Sequence, residues 1–346
     1  ASRRQSIERV MVLQAMGELA SSRIVSAAFR QQGVDAAWVD SRQVLVTDAE
    51  FSAAVPDMDA TTERCQSIVA PKTAAGQVPV MGGFIGATAT GVTTTLGRGG
   101  SDYSAAIFGA CLDVGEIQIW TDVDGMLTAD PRVVKSPVLV PELSFNEASE
   151  LAYFGAKVLH PSTILPAVAK NIPVRILNSK RPEVKGTMIT ANGRNDGHTL
   201  TALACKRGVT VIDITSSRML MAFGFLRRLF EVFERFKTPV DVVTTSEVSV
   251  SVTVDNTRRL DDILNNLRNF AEVSTEADMA IVCIVGENLR SDPALFGKAI
   301  TSLNTIPLRL VSQAASRRNI TFVLKDADAV SAMNLLHDQF FAQVGA

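Results

Sequence analysis

The sequence is poor in the residues from which metal centres are built. It has four cysteines without CxxC spacing and three histidines in 346 residues, so a zinc site is not expected and reduced thiols are the default. It also lacks an apolar run long enough to span a bilayer, and it does not start with the charged and apolar regions of a signal peptide. These absences favour a cytoplasmic protein without a membrane partner.

Neither sign of charge is in excess. Lys and Arg number 34 against 36 Asp and Glu, for a net charge of −2, which argues against nucleic acid as a partner. Small molecules and protein partners remain. The length of 346 residues, 47% of them hydrophobic, predicts more than one domain with a well-filled core.

A glycine-rich loop, Thr93–Ala105, is the strongest local signal. Its glycines allow the backbone to approach a ligand closely, and the helix predicted to follow offers free N–H groups to an anion. Arg98 adds a planar fork suited to a carboxylate or a phosphate. Asp102 either caps the helix or works beside a cation such as Mg²⁺ or a substrate amine. The loop alone leaves both interpretations open, because such turns also cap helices without binding anything.

Strand and helix patterns alternate over the first half of the chain. This alternation predicts an α/β fold with a mostly parallel sheet and helices on both faces, whose ligands bind at the carboxyl ends of the strands. Strands are predicted around Trp38, at 44–46, before Gly82-Gly83, at Glu116–Trp120 and at Ile172–Leu177, and helices at 7–30 with a break at Gly17-Glu18, 57–75, 103–112, 145–154 and 162–170.

The pattern changes after residues 192–199, which are polar, contain glycine and are predicted to be a linker. From there to residue 346 a strand and helix order recurs at a spacing of about 70 residues, with alternating strands such as Val248–Val254 that indicate an antiparallel sheet with one wet face. Two α+β sandwiches are predicted, at about 208–279 and 280–346. They have the character of a sensing or assembly module.

Five stretches together resemble aspartate kinase of the amino-acid kinase family, followed by a tandem pair of ACT domains. The resemblance covers essentially the whole chain and implies a kinase domain over 1–191 and a regulatory region over 200–346. The stretches are GFIGAT at 83–88, TTTLGRGGSDYSAA at 93–106, IWTDVDGMLTADPR at 119–132, FGAKVLHP at 154–161 and VVTTSEVSVSVTVD at 242–255.

The resemblance implies an enzyme that transfers the γ-phosphoryl group of MgATP to the β-carboxylate of L-aspartate, giving 4-phospho-L-aspartate. This is the first step of lysine, threonine and methionine biosynthesis. A carboxyl group with a pKa of about 4 is already ionised at neutral pH, so the site needs no general base. Its tasks are positioning and charge neutralisation.

In this resemblance Arg98 grips the substrate carboxylate and Glu18 holds the substrate ammonium group. Phe84, Ser101 and Asp102 line the same pocket. Asp102 would then lie near the substrate amine and magnesium, while no protein ligand set for a resident metal is implied.

The nucleotide is expected to contact Thr121, Asp122 and Leu127, the last at a position where members of the family often carry tyrosine. Arg132 and Lys157 would reach the phosphates. Lys157, with Arg98 and Asp102, is predicted to carry the catalysis by neutralising charge on the group in transfer.

The resemblance implies that the regulatory region binds an amino-acid effector, with lysine as the first choice, at an interface between ACT domains. Helix N–H groups near Phe225 would receive its α-carboxylate, and Asp241 and Glu247 its amines. If this interface joins ACT domains of two subunits, the chain forms a homodimer or a tetramer. The residues implied are Met219, Phe225, Leu226, Val240, Asp241, Thr245 and Glu247.

The Lys-Phe-Gly-Gly-Thr motif of the family's first strand does not occur in this sequence. Because the lysine of that motif meets the phosphates, we expect little kinase activity from this polypeptide alone and full activity once the segment is restored. The end of the sequence, shortly after the second ACT unit, favours a monofunctional enzyme.

Two alternatives remain. One is an amino-acid kinase for glutamate, acetylglutamate or a nucleotide monophosphate, which Glu18, Arg98 and the paired ACT units disfavour. The other is a non-catalytic regulatory subunit, which would bind the effector but neither MgATP nor aspartate.

Overall fold

The computed structural model describes residues 2–155, 164–193, 199–216, 223–313 and 317–342, with side chains from residue 9 onward. The chain divides into two compact units. The first comprises Ala1–Met126, Pro141–Ala152 and Lys157–Asp196, and the second comprises Leu127–Val140, Tyr153–Ala156 and Gly197–Ala346. The boundaries predicted at 191, 200 and 280 stay predictions. Most of the predicted linker, 194–198, lies outside the described residues.

The first unit opens with one long helix, α1 (Ser2–Gln31). The break predicted at Gly17-Glu18 is wrong. Buried Met11, Ala15, Ser22 and Ser26 lie four or seven residues apart, on one face of the helix, while Gly17 faces solvent. A glycine in an exposed helix interior weakens the helix by only about 1 kcal/mol.

Short strands with intervening helices build the rest of this unit, as the alternating pattern predicts. The predicted helix over 57–75 is interrupted by a π-helical turn at Cys65–Val69. The strands are β1 (Ala36–Val39), β2 (Val46–Thr47), β3 (Val78–Met81), β4 (Ile85–Thr88), β5 (Thr93–Thr95), β6 (Ile117–Thr121), β7 (Glu142–Ser144), β8 (Val174–Asn178) and β9 (Thr187–Thr190), and the helices are α2 (Met58–Arg64), α3 (Ala70–Ala74), α4 (Gly100–Cys111), α5 (Phe145–Tyr153) and α6 (Leu165–Lys170).

Pairing in this unit is mainly parallel. β1 pairs with β3, β2 with β4, β6 with β8 and β7 with β9 in parallel, while β5 and β9 add antiparallel contacts to β4 and β8. Together with the helices, this confirms the predicted α/β class. Parallel pairing brings the carboxyl ends of neighbouring strands to one edge of a sheet.

The second unit holds a six-stranded antiparallel sheet in the order β11-β12-β10-β13-β15-β14. The predicted boundary at 279/280 falls inside one continuous strand, β13, so the two predicted sandwiches share a single sheet. The strands are β10 (Leu200–Thr215), β11 (Val243–Thr245), β12 (Ser249–Val254), β13 (Glu272–Gly286), β14 (Leu308–Gln313) and β15 (Asn319–Lys325), with helices α7 (Phe225–Arg235), α8 (Leu260–Leu267), α9 (Pro293–Ser302) and α10 (Ala329–Phe341).

Two apolar cores lie along this sheet. One joins α7 and α8 to residues such as Ile212 and Val252, and the other joins α9 and α10 to residues such as Val282 and Phe322. Residues 127–140 add to the second core, because Ala129 and Val134 are buried in it and the Leu203 N–H donates to the Thr128 carbonyl at 2.7 Å. In the described part of the chain, no helix is both long and apolar enough to cross a membrane.

Candidate functional site

The glycine-rich loop turns into α4 through left-handed backbone. Gly97 and Gly99 have φ of 78° and 71°, a region that glycine enters without a steric penalty. Gly100 then begins the helix, and a Cβ at this position would lie 2.7 Å from the Phe84 ring. The loop therefore closes tightly over Phe84, which only glycine at position 100 permits.

Phe84 itself adopts left-handed backbone, with φ of 68°. Its N–H donates to Ser104 Oγ at 2.8 Å, and its carbonyl accepts from the Leu96 N–H at 2.9 Å. A large side chain in this conformation costs about 1–2 kcal/mol, a strain typical of functional sites. The bonds to the loop and to α4 hold the residue in place.

Helix α1, the end of β3 and the start of α4 meet at a pair of glycines. A Cβ at Gly82 would lie 3.1 Å from the Glu18 carbonyl oxygen, and one at Gly83 would lie 3.0 Å from Ser101 Cα. The Ser41 hydroxyl donates to the Gly82 carbonyl at 2.5 Å. The structure thus brings together three residues predicted for the substrate pocket, namely Glu18, Phe84 and Ser101. Asp102 follows Ser101 in the first turn of α4.

Two charged side chains of the predicted pocket, Arg98 and Asp102, are available to a ligand. Arg98 is exposed between the two left-handed glycines. Burial raises the pKa of Asp102, and within the described residues no cation offsets this effect. An unneutralised carboxylate at a close-approach loop is suited to bind a cationic group.

The polar clusters after β6 and β8 also meet. Ser179 donates its N–H and its hydroxyl to the Thr121 carbonyl, at 2.8 and 2.9 Å, and Asn178 Nδ2 donates to Asp124 Oδ1 at 2.7 Å. Arg181 binds the other oxygen of Asp124 at 2.6 Å. Thr121 and Asp122, predicted to contact the nucleotide, lie at this edge.

The sequence pattern predicted the strands at Glu116–Trp120 and Ile172–Leu177 but did not single out Asp124 or Arg181 beyond their ends. The signal was available, because parallel neighbouring strands bring their ends together. Of the other predicted nucleotide contacts, Leu127 and Arg132 belong to the second unit. Arg132 is exposed and forms a two-pronged ion pair with Asp130, at 3.0 and 2.6 Å. Lys157 lies outside the described residues.

The predicted effector residues occupy α7 and the strands beside it. Gly224, with φ of 82°, precedes Phe225, the first residue of α7, and none of the described side chains caps this helix end. Phe225 is buried and Leu226 exposed. Thr245 ends β11, and Glu247 follows it, exposed. Met219 lies outside the described residues.

Strand β11 starts only at Val243, so Val240 and Asp241 lie before it. The reason is a side-chain hydroxyl, since the Val242 N–H donates to Thr253 Oγ1 at 2.9 Å. Pairing with the neighbouring strand is therefore irregular at Val240 and Asp241.

This irregular segment contains an ion cluster that the sequence did not reveal. Lys206 Nζ lies 2.7 Å from Asp241 Oδ1 and 2.8 Å from Asp255 Oδ2, and 5.2 Å from the centre of the Tyr153 ring. The Tyr153 hydroxyl donates to the Val240 carbonyl at 3.2 Å. Two carboxylates thus share one ammonium group.

Asp241 is the most enclosed member, with a side chain only 2% exposed. Its Oδ2 is buried and has no hydrogen-bond partner among the described residues. Burial raises the pKa of Asp241, and the Lys206 ammonium and the Tyr153 hydroxyl oppose this effect without cancelling it. Burial tends to lower the pKa of Lys206, but its bonds to Asp241 and Asp255 raise it overall.

A family model described as "Amino acid kinase family" matches residues 3–178, and one described as "ACT domain" matches residues 282–340. The chain therefore belongs to the amino acid kinase family, and its second unit carries an ACT domain.

Its relatives within the family are aspartokinases, as the sequence motifs predict. The chain is 37% identical over 333 residues to lysine-sensitive aspartokinase 3 of Escherichia coli, covering 94% of this chain and 74% of that protein. It is 42% identical over 276 residues to the chloroplastic aspartokinase 1 of Arabidopsis thaliana, covering 76% of this chain but only 48% of that protein. The chain thus spans from about half to three quarters of the length of these relatives.

A solved structure extends the likeness to the fold. E. coli aspartokinase III in complex with aspartate and ADP, in its R-state, superposes with a TM-score of 0.85 at 36% identity. The match covers 97% of this chain and 76% of that one.

Proposed function

We propose that this chain provides the aspartate and nucleotide sites of an aspartate kinase, which transfers the γ-phosphoryl group of MgATP to the β-carboxylate of L-aspartate. The observation that carries the proposal is the meeting of Glu18, Phe84 and Ser101 at the glycines of this region, with Asp102 next to Ser101 in the first turn of α4. The aspartate and ADP bound by the E. coli relative support it.

The pocket residues suit two anions that must be brought together. Arg98 pairs with a substrate carboxylate through its planar fork, and Glu18 or Asp102 receives the substrate ammonium group. The first N–H groups of α4 face the same loop and add positive potential. The acceptor carboxylate is ionised at neutral pH and attacks without a general base.

Magnesium fits this site as a companion of the nucleotide. In the described part of the chain no group of three or more His, Cys, Asp or Glu is arranged to hold a metal ion. Mg²⁺ in kinases is commonly held by one or two carboxylates and the substrate phosphates, and Asp102 and Asp122 are the carboxylates available for this. When bound, the ion neutralises phosphate charge. Arg132 and Lys157 remain predicted phosphate ligands.

The domain boundaries belong to the same proposal. Residues 1–191 form the kinase domain and residues 200–346 the regulatory region, joined through 192–199. The scattered cysteines, without disulfide spacing, support a cytoplasmic enzyme.

The effector we propose is a cationic amino acid, with lysine first. The cluster of Lys206, Asp241 and Asp255 has two carboxylates for one ammonium group, so it favours an additional positive charge. Threonine and methionine carry only the α-ammonium group, whereas lysine offers two. The lysine-sensitive E. coli relative supports this choice.

A second copy of the chain is the proposed partner of the effector half. β11 is an edge strand, whose unpaired N–H and C=O groups favour pairing with another chain. Large apolar side chains are exposed around it and on α7, as one expects of a subunit interface. They are Phe223, Leu226, Phe230, Val243 and Val248.

The deciding experiment is aspartyl-hydroxamate formation with MgATP and L-aspartate, with and without lysine. It compares this chain with a version extended at its N-terminus by the family's Lys-Phe-Gly-Gly-Thr segment. We expect turnover from the extended version, suppressed by lysine, and little from this chain. Arg98→Ala should lower kcat/KM about 100-fold or more, whereas Arg181→Ala, which loses a cation at the neighbouring strand ends, should change the KM for nucleotide more than that for aspartate.

Two results would redirect the assignment. Lysine binding without hydroxamate from the extended version leaves a non-catalytic sensor. Turnover with glutamate in place of aspartate would point to a different amino-acid kinase.

A further inference from the structure

The ammonium group of Lys206 makes with Asp241 the same kind of bond that an effector amine would make. Its Nζ lies 2.7 Å from Asp241 Oδ1, a charge-assisted hydrogen bond within a nearly closed site. In this structure the chain supplies its own cation to the carboxylate that we assign to the effector.

Burial leaves little access for a second cation beside the first. The Asp241 side chain is 2% exposed and that of Lys206 is 19% exposed. Asp241 Oδ2 is enclosed without reaching solvent. An incoming amine therefore reaches Asp241 more readily by replacing the Lys206 ammonium than by adding to it.

Lys206 has a second partner to receive it. Asp255 already contacts Nζ at 2.8 Å and is 37% exposed, and the Tyr153 ring lies 5.2 Å from Nζ. When Lys206 releases Asp241 it keeps one ion pair, the face of an aromatic ring and access to water. The exchange thus breaks one of two ion pairs and strands no charge.

We propose that Lys206 is a built-in competitor of the effector, whose ammonium group takes the place of Lys206 Nζ on Asp241 while Lys206 withdraws to Asp255. This inference rests on the effector role proposed for Asp241. Lys206 then sets the affinity for the effector, and it selects for effector amines that can displace a lysine ammonium group from Asp241.

The test is calorimetric titration of the full chain with L-lysine at pH 8, where Asp241 is favoured in its ionised form. Lys206→Met removes the competitor and should tighten binding about tenfold. Asp255→Asn removes the residue that receives Lys206 and should weaken binding by a similar factor. The opposite signs are the signature of exchange, because a merely structural role of the cluster weakens binding in both variants.

Arg207→Gln is the matched control. Arg207 is the next residue of β10 and pairs with Asp326, an ion pair away from Asp241 and Asp255. Arg207→Gln removes one positive charge, as Lys206→Met does. Its affinity for L-lysine should stay within about twofold of wild type if the effect of Lys206→Met does not come from the change in net charge.

Weaker or unchanged lysine binding in Lys206→Met overturns the exchange while leaving lysine as the effector. If that variant does not fold, unchanged or tighter binding in Asp255→Asn overturns it instead. Binding of lysine to wild type that survives Asp241→Asn overturns the proposed role of Asp241 and the exchange with it. Absence of lysine binding in the wild type and in every variant rejects lysine as the effector.

Discussion

Asp102 in the first unit and Asp241 in the second are both carboxylates whose pKa burial raises. They differ in what surrounds them. Asp241 has the Lys206 ammonium at 2.7 Å, whereas within the described residues nothing offsets the burial of Asp102. One carboxylate has a resident cation, whereas the other has none among the described residues.

In the roles that we propose, this difference separates the substrate site from the regulatory site. A substrate pocket gains by leaving its charge unpaired, because the bound substrate then supplies the missing partner in every cycle. A regulatory site gains from a resident counter-ion, because the state without effector is then a stable alternative. Backbone strain agrees with this division, since Phe84, with its left-handed backbone, belongs to the proposed substrate pocket.

Asp102→Asn should show the largest effect. It removes the charge that we assign to the substrate amine or magnesium, so kcat/KM of the N-terminally extended enzyme should fall about 100- to 1,000-fold. Stability should not fall, because the raised pKa means that the ionised Asp102 opposes folding as the pH rises through it. Hydroxamate assays and thermal unfolding measure the two.

Asp113→Asn is its control. Asp113 is exposed just after α4 and has φ of 53°, a conformation that asparagine also adopts readily. An equal loss of activity in this variant would show that Asp102 has no particular role.

Lys206→Met tests the other half of the comparison. It leaves Asp241 buried without its cation, and breaking a buried pair costs about 3–5 kcal/mol. Because Lys206 is partly exposed and Asp241 can take up a proton, we expect about 2 kcal/mol of lost stability in denaturant unfolding.

The pH dependence of this loss has a definite sign. Without Lys206 the pKa of Asp241 rises further, and a carboxyl whose folded pKa is raised stabilises the fold below its unfolded pKa and less as the pH rises. The loss should therefore shrink toward acid pH. The double variant Lys206→Met/Asp241→Asn should recover most of it, and a loss equal to that of the single variant would contradict the assigned pairing.

The sequence predicts the helices and strands well, because their buried residues recur at the regular spacing of each element. The helix predicted at 145–154 is α5 (Phe145–Tyr153), whose buried Phe145, Ala148 and Leu151 recur every three residues. The continuity of β13 was missed because the repeat of about 70 residues suggested two separate sheets. Yet Glu272–Val285 contains neither proline nor glycine to end a strand.

The pocket and the ion cluster differ in how far the sequence predicts them. The residues of the pocket lie in motifs, so resemblance to a family points to them. Lys206 and Tyr153 belong to the ion cluster only because the fold brings them near Asp241. Lys206 is 35 residues from Asp241 in sequence and Tyr153 is farther away, and no local sequence pattern encodes such a contact. The failed break in α1 has a similar cause, because packing of its buried face outweighed the preference of Gly17.

His337 is a buried titratable group whose neutral form is favoured by burial. Of the changes considered, its titration should have the smallest effect on stability. The Val138 N–H donates to Thr128 Oγ1 at 2.9 Å, and the same hydroxyl shares a hydrogen bond of 2.9 Å with His337 Nε2. A neutral ring satisfies this bond at Nε2 as donor or as acceptor. Burial lowers the pKa of His337 below its ordinary 6.5, against the opposing charge of Asp338.

The stability that the neutral ring contributes is present above pH of about 6.5, where the unfolded chain is also neutral. It is lost as the pH falls toward the folded pKa, because the unfolded state then binds the proton more readily. We expect a loss below about 1 kcal/mol between pH 7.5 and 5.5 in denaturant unfolding. His337→Gln should flatten this part of the profile, and an unchanged slope would place the acid sensitivity of the second unit at its carboxylates instead.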